Sequence, residues 1–326
     1  DMVVQRLLGL VPPLFHPDPK DALVIGLGSG TTVASLARYP LARIESAEIA
    51  PGVARAAREH FADVNEGIFA DPRVSLLLDD GRNYLHFQPD ASYDLIISEP
   101  SNPWTAGVSA LFTDEFFAEA KRKLRPGGVL CQWFHYYNMS FEHIQLIIRT
   151  FTRHFPETAV LVAIGERPTG DLLMIGAKDR LQMAYLPDDP ALPERVRAAF
   201  AEIRNPTAEE LLRGLSAGPE DAVTLAGRGP VNTDDRPVLE FEAPADRFEP
   251  SFLPNLGALL TATDRTFLPV AVSLPGPFPA GREERRGATV LTRRRADSIE
   301  LDRWVLLGAE FAAGEERTEL FQLARK

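Results

Sequence analysis

The stretch Leu23-Val24-Ile25-Gly26-Leu27-Gly28-Ser29-Gly30-Thr31-Thr32 constrains the fold of this chain more than any other. An apolar run leads directly into G-x-G-x-G and then into a helical pattern. Glycines at that spacing permit a tight turn and let a ligand approach the backbone with no Cβ in the way. Taken alone, the motif also fits a plain strand-to-helix turn, but its surroundings favour a ligand loop. Glu48, followed by Ile49, stands at the end of the next apolar run, about 20 residues on, where a carboxylate can accept hydrogen bonds from both hydroxyls of a ribose. Leu76-Leu77-Leu78-Asp79-Asp80-Gly81 is a third run ending in acid-Gly. Asp80 is the favoured contact to an adenine edge there, and capping of the following helix is the other use of Asp79 or Asp80. Tyr93–Pro100 forms a fourth run that carries Glu99 to the edge of the sheet where open α/β folds bind ligands. The G-x-G-x-G spacing leaves less room for a pyrophosphate than G-x-G-x-x-G does. A nucleoside with a short charged tail, such as an adenosyl sulfonium compound, suits the loop better.

Across residues 1–178, short apolar runs alternate with helical patterns, as βαβ units of a parallel sheet do. The runs predict strands at Ala22–Gly26, Ile44–Ile49, Val74–Leu78, Tyr93–Ser98, Gly128–Trp133, Ala159–Ile164 and Asp171–Gly176, with helices near 31–39, 51–63, 113–124 and 140–154. Arg125-Pro126-Gly127-Gly128 reads as the turn between the third helix and the next strand. The last two strands, separated by a short Pro-Thr-Gly loop, read as an antiparallel hairpin. The expected fold class is therefore α/β and Rossmann-like, with a mostly parallel seven-stranded sheet, helices on both faces and one antiparallel strand. Residues 1–178 form the nucleoside-binding unit. Residues 179–326 form a helical, proline-rich extension expected to pack on it, with helices near 194–203 and 207–215. Asn232–Pro237 reads as a polar turn before the strand-like alternation Val238–Glu242, and 244–281 as extended connections. The basic clusters Arg282–Arg286 and Arg293–Arg295 read as a solvated helix face.

Composition limits the partners. With 35 basic and 46 acidic residues the net charge is −11, which disfavours a nucleic-acid surface and favours a cationic ligand. The single cysteine, Cys131, permits no internal disulfide and sits in an apolar run as a small hydrophobe. The six histidines include no close metal-ligand spacing such as H-x-x-x-H, so no metal is expected. His135, at the mouth of the fifth strand, reads as a structural histidine or a ligand contact. Trp104 either stacks on a substrate or pins its loop. Asp234 and Asp235 either cap a strand or reach toward the site. No apolar run reaches the ~20 residues needed to span a bilayer, and no signal peptide is apparent. A chain beginning at Asp1 is expected to be a piece of a longer protein.

Several motifs together resemble the spermidine synthase family of aminopropyltransferases, over about residues 1–178. They are Asp1–Arg6 with His16–Lys20, Gly26–Thr31, Asp79–Gly81, Ser98–Trp104, Leu111–Thr113, Gly127–Gln132 and, further on, Asn232–Pro237. The likeness is strongest to a bacterial subgroup in which such a domain follows a multi-span membrane segment. The resemblance implies the class I methyltransferase/spermidine synthase fold, with decarboxylated S-adenosylmethionine as donor and an amine such as putrescine or another polyamine as acceptor. It also implies that Gly26, Gly28, Ser29, Gly30, Glu48, Ile49, Asp79, Asp80 and Gly81 hold the donor. Glu99 would be the proton acceptor, with Gln5, Arg6, Asn102, Trp104 and Gln132 at the acceptor. A cytoplasmic location follows, with attachment to an inner-membrane segment and homodimer formation left open.

The sequence departs from the family pattern at the acceptor end. Ser29 stands where the family has an acid, Glu99 and Asn102 stand for its two aspartates, and Gln5-Arg6 replaces a Tyr-His pair. An arginine there repels a polyamine and can meet a carboxylate. The small β-domain that precedes this region in the family is missing from the sequence. Two alternatives follow: a methyltransferase using S-adenosylmethionine itself, and a non-catalytic domain of a membrane protein that binds adenosyl nucleosides or polyamines.

Overall fold

Ala22, Leu23, Val24 and Ile25 are all buried, as a strand covered on both faces requires. They make up β1 (Asp21–Ile25), the strand about which the molecule is organised in the computed structural model. The structure describes residues 2–164, 168–205, 207, 210–211, 214–248, 250–261, 265–271 and 288–294. Parallel to β1 lie β2 (Arg43–Glu48) on one side and β4 (Tyr93–Ser98) on the other. Next to β2 is β3 (Val74–Leu78), and next to β4 is β5 (Leu124–His135), both parallel. β7 (Pro168–Ala177) then runs antiparallel to β5, and β6 (Thr158–Ile164) pairs with β7 as the expected hairpin.

The order β3-β2-β1-β4-β5-β7-β6 contains the seven expected strands, and a short β8 (Leu215–Ala217) adds an eighth beside β6. The chain leaves β1 toward β2 and β3, then returns to β4 on the opposite side. That reversal opens a crevice beyond the carboxyl ends of β1 and β4.

Alternate residues of β1 serve opposite cores. Ala22 and Val24 pack with α1 (Met2–Leu10), α2 (Thr31–Ala37) and α8 (Glu194–Glu202) through Leu8, Leu36 and Phe200. Leu23 and Ile25 pack with α6 (Asp114–Lys123) and α7 (Phe141–His154) through Phe116, Phe117 and Phe151. Between these come α3 (Pro51–His60), α4 (Ala62–Asn65) and α5 (Gly81–Phe87). The result is a doubly wound, Rossmann-like α/β sheet.

Several local expectations are corrected. Arg125–Gly128 is not a separate turn: it lies within β5 as an irregularity, with Gly127 at φ 75° and the β4 register slipping between Tyr93 and Leu95. Val238–Glu242 is a short helix, not a strand. Buried Asn232 accepts the Leu239 N–H there and donates to the Ser109 and Phe112 carbonyls, which fixes a turn where alternation alone suggested extension. Within 244–281, Ala243–Phe248 is a 3-10 helix and Phe252–Thr261 an α-helix. Leu253, Leu256 and Leu259 recur there at helical spacing and are buried. Arg293 and Arg294 lie on a strand, Ala288–Arg294, paired antiparallel with Arg265–Ala271. Arg282–Arg286 and Arg295 lie outside the described residues, as does much of the expected helix 207–215, whose last residue begins β8. Among the described residues no helix is long and apolar enough to cross a membrane.

Candidate functional site

The crevice holds a cleft of about 690 Å³ lined by residues from α1 and from the ends of β1 to β4. Its floor depends on Gly26, which takes φ 99° and whose Cβ, if present, would lie 2.4 Å from the Glu99 carbonyl oxygen. No other residue fits that crossing. The sheet pairing continues around it: Gly26 N–H donates to the Ala47 carbonyl at 2.8 Å and Glu99 N–H to the Ile25 carbonyl at 2.9 Å. These bonds bring the ends of β2 and β4, and so Glu48 and Glu99, to the two sides of the glycine loop.

Glu48 is buried, and both its oxygens are held by backbone. Oε2 accepts the Leu27 N–H at 3.1 Å and Oε1 the Ala50 N–H at 2.8 Å. Each oxygen keeps a further lone pair, so the carboxylate is oriented and still able to accept from a ligand hydroxyl. Ile49 beside it is 69% exposed, an uncovered apolar side chain on the cleft wall, with Leu111 also on the lining. Asp80 lines the cleft and caps α5 by accepting the Asn83 N–H at 2.9 Å, the capping use considered for it.

At the other end Glu99 is half-buried at the cleft base. Burial raises its carboxyl pKa from the ordinary 4.5 to about 7, against hydrogen bonds from Thr32 and Gln5 that lower it; the nearby Asp171 raises it further. Thr32 Oγ1 lies 2.5 Å from Glu99 Oε2 and 3.0 Å from the Gln5 carbonyl oxygen. A hydroxyl has one proton, so these two contacts define two states. With Glu99 ionised, Thr32 donates to it. With Glu99 protonated, the carboxyl donates to Thr32, whose own proton turns to the Gln5 carbonyl. The site is thus built to hold Glu99 in either form near neutral pH.

Gln5, Gly26, Gly28, Glu48, Ile49, Asp80, Gly81, Glu99 and Asn102 all line this one cleft. Ser29 and Gly30 lie just behind it: Ser29 Oγ donates to Gln5 Oε1 at 2.9 Å, and Gly30 is the N-cap of α2. Asp79 accepts the Asp80 N–H and is not on the lining. Three expected acceptor residues are elsewhere. Arg6 turns away and pairs with Glu202 of α8 at 2.8 Å. Trp104 packs edge-on against His135 at 4.5 Å and under Arg247, so it pins its loop. Gln132 is buried within β5 and donates to the Trp133 carbonyl at 3.0 Å. His135 is structural: its Nδ1 meets the Tyr137 carbonyl, its ring stacks on Tyr137, and burial lowers its pKa to about 4.

The sequence reading missed Asp171, Trp133, Thr32 and Arg82. Asp171 and Trp133 line the cleft, and the Trp133 indole N–H donates to Asp171 at 3.1 Å. Thr32 followed the glycines in the motif already quoted, but only the fold reveals its partner. Among the described residues Arg82 is the one basic residue on the lining, and Asp234 bridges it at 2.8 and 2.5 Å. Asp234 is therefore an ion-pair partner at the cleft rim. No group of three or more His, Cys, Asp or Glu among the described residues is placed to hold a metal ion.

Residues 1–175 match the spermine/spermidine synthase domain family. The chain belongs to that family. Spermidine synthase 1 of Pisum sativum is 37% identical over 137 residues, 40% of this chain and 40% of its own length. The polyamine aminopropyltransferase of Escherichia fergusonii is 35% identical over 130 residues, 40% of this chain and 44% of its own. The matches thus span about two fifths of the length of these curated relatives. A probable spermidine synthase from Corynebacterium glutamicum shares the fold, with a TM-score of 0.51 at 20% identity over 71% of this chain and 80% of that one. The architecture is the class I methyltransferase/spermidine synthase fold.

Proposed function

We propose that the cleft transfers an aminopropyl group from decarboxylated S-adenosylmethionine to an amine, with Glu99 as proton acceptor. The observation that carries this reading is Glu99 itself, a carboxyl at the cleft base with its pKa near 7 and a hydroxyl partner that suits both protonation states. Glu48 takes the ribose hydroxyls, Ile49 and Leu111 flank the base, and Asp80 reaches its polar edge. The acceptor must attack as a neutral amine. Its nitrogen forms a bond to the carbon beside the sulfonium, the C–S bond breaks, and methylthioadenosine leaves. The proton released by the new secondary ammonium passes to Glu99, a general base with a pKa matched to neutral pH.

The ion pair of Arg6 with Glu202 weakens the methyl-transfer alternative. That reading assigned Arg6 to the donor's carboxylate, and Arg6 is engaged outside the cleft. Purified protein mixed with donor and a panel of amines is expected to release methylthioadenosine. Donor binding without release for any amine refutes the reading.

A further inference from the structure

The Asn232–Pro237 motif lies beyond residues 1–175 of the family match and has no part in the transfer above. The structure sets it against the loop between β4 and α6, which forms one wall of the cleft and carries Gly107, Ala110 and Leu111 on its lining. Three ties run from the extension to that loop. Buried Asn232 donates its amide to the Ser109 and Phe112 carbonyls at 3.4 and 3.2 Å, and its own carbonyl accepts the Asp114 N–H at 2.8 Å. Glu240, on the short helix that follows, accepts the Ser109 hydroxyl at 2.9 Å and the Gly107 N–H at 3.4 Å. The third tie joins this wall to another. Arg82, in the first turn of α5, donates to the Ala110 carbonyl at 3.1 Å and is held through both terminal nitrogens by Asp234. Asp234 is fixed in its turn: Glu115 accepts its N–H at 2.9 Å, and the Thr233 hydroxyl accepts the Arg236 N–H at 3.0 Å. An arginine side chain is costly to order, and a two-pronged carboxylate orders it before any ligand arrives. A ligand entering the cleft then meets a wall at Ala110–Leu111 that it does not have to arrange.

We infer that Asp234 is a positioning residue for the nucleoside: acting through Arg82, it pre-orders the Ala110–Leu111 wall of the cleft from outside the residues of the family match. That the ligand is a nucleoside rests on the transfer reading above; the bracing of the wall does not.

The test uses the full chain as wild type, Asp234→Asn, Arg82→Gln, the double variant and Asp234→Glu. Asp234 is exposed, so its variants are expected to fold. Amide hydrogen exchange over residues 106–112 should be about 5- to 20-fold faster in Asp234→Asn, with local exchange in α3, which the pair does not touch, unchanged. Methylthioadenosine affinity, read by calorimetry, should fall about 3- to 10-fold, as for a wall in its binding arrangement only a third to a tenth of the time. Because Asp234 acts through Arg82, the double variant should lose no more than Arg82→Gln alone. Asp234→Glu keeps the charge and should recover part of the affinity. Unchanged exchange over 106–112, a rise shared equally by α3, or additive losses in the double variant overturns the brace. Faster loop exchange with wild-type methylthioadenosine affinity overturns the positioning role. Faster loop exchange in Asp234→Asn, with no methylthioadenosine binding to wild type, overturns the nucleoside reading and leaves the brace standing.

Discussion

Glu99→Gln should make this protein less active and more stable at the same time. The folded protein holds the Glu99 carboxyl near 7, above its ordinary 4.5. It therefore binds that proton more tightly than the unfolded chain does. Below about pH 4.5 the group is neutral in both states and costs nothing. Between that value and 7 the penalty of ionising it in the fold grows, and above 7 it is complete. At about 1.4 kcal/mol per pH unit the full penalty is about 3 kcal/mol, which solvent reaching a half-buried group trims to about 2 kcal/mol. Glutamine is neutral throughout, so the gain of the variant follows the same curve. For a domain of this size that corresponds to a Tm about 4–8 °C higher at pH 8, with no difference at pH 4. Methylthioadenosine release should fall by roughly 10²–10⁴-fold, with donor affinity little changed. Thermal unfolding of both proteins across pH 4–8, beside an activity assay, reads both effects. A Tm difference of equal size at pH 4 and pH 8 would refute the desolvation argument, and wild-type turnover would refute the role as base.

Three other substitutions probe the same cleft. Glu48→Ala should weaken methylthioadenosine binding by ~2–3 kcal/mol, roughly 30- to 150-fold by calorimetry, and undiminished affinity would remove Glu48 from the ribose site. Thr32→Val removes a donor to the ionised carboxylate, so the acid limb of the pH–rate profile should move up by about one pH unit; an unmoved limb would show that the 2.5 Å contact has no influence on the base. Gly26→Ala places a Cβ 2.4 Å from the Glu99 carbonyl in a left-handed backbone, and should cost at least about 2 kcal/mol, read as a lower urea midpoint. An unchanged midpoint would mean that the floor of the cleft adapts.

The end of the cleft proposed for the nucleoside was legible in the sequence as a set of neighbouring positions because its determinants are local. Buried parallel strands read as unbroken apolar runs, and the positions following them, Gly26, Glu48, Asp80 and Glu99, fall on the crevice by the geometry of the sheet. The end proposed for the acceptor was less so, because its residues depend on how distant segments meet. Gln5 and Arg6 are neighbours on α1, and about 100° separates successive side chains on a helix. Leu7 and Leu8 fix the buried face, which leaves one of the two polar residues at the cleft and turns the other toward α8. Nothing in residues 1–10 reveals Glu202. Asp171 was hidden for a related reason: a polar residue opening an apolar strand is ordinarily exposed, and only the return of β7 beside β5 buries it against Trp133.

That difference in construction bears on how the site can change. Glu48 is held by the N–H groups of Leu27 and Ala50, which every residue but proline supplies, so the position of its carboxylate, where the ribose is proposed to bind, resists substitution around it. The end of the cleft proposed for the acceptor is made of side chains from four elements: Gln5 of α1, Thr32 of α2, Glu99 following β4, and Asp171 of β7. Ser29 and Asn102 are neutral where the family pattern has acids, and Asp171 returns a carboxylate from a different strand. The charge on that side of the cleft is therefore a property of the assembled fold, contributed by several elements, and is not legible from the Glu99–Asn102 loop alone.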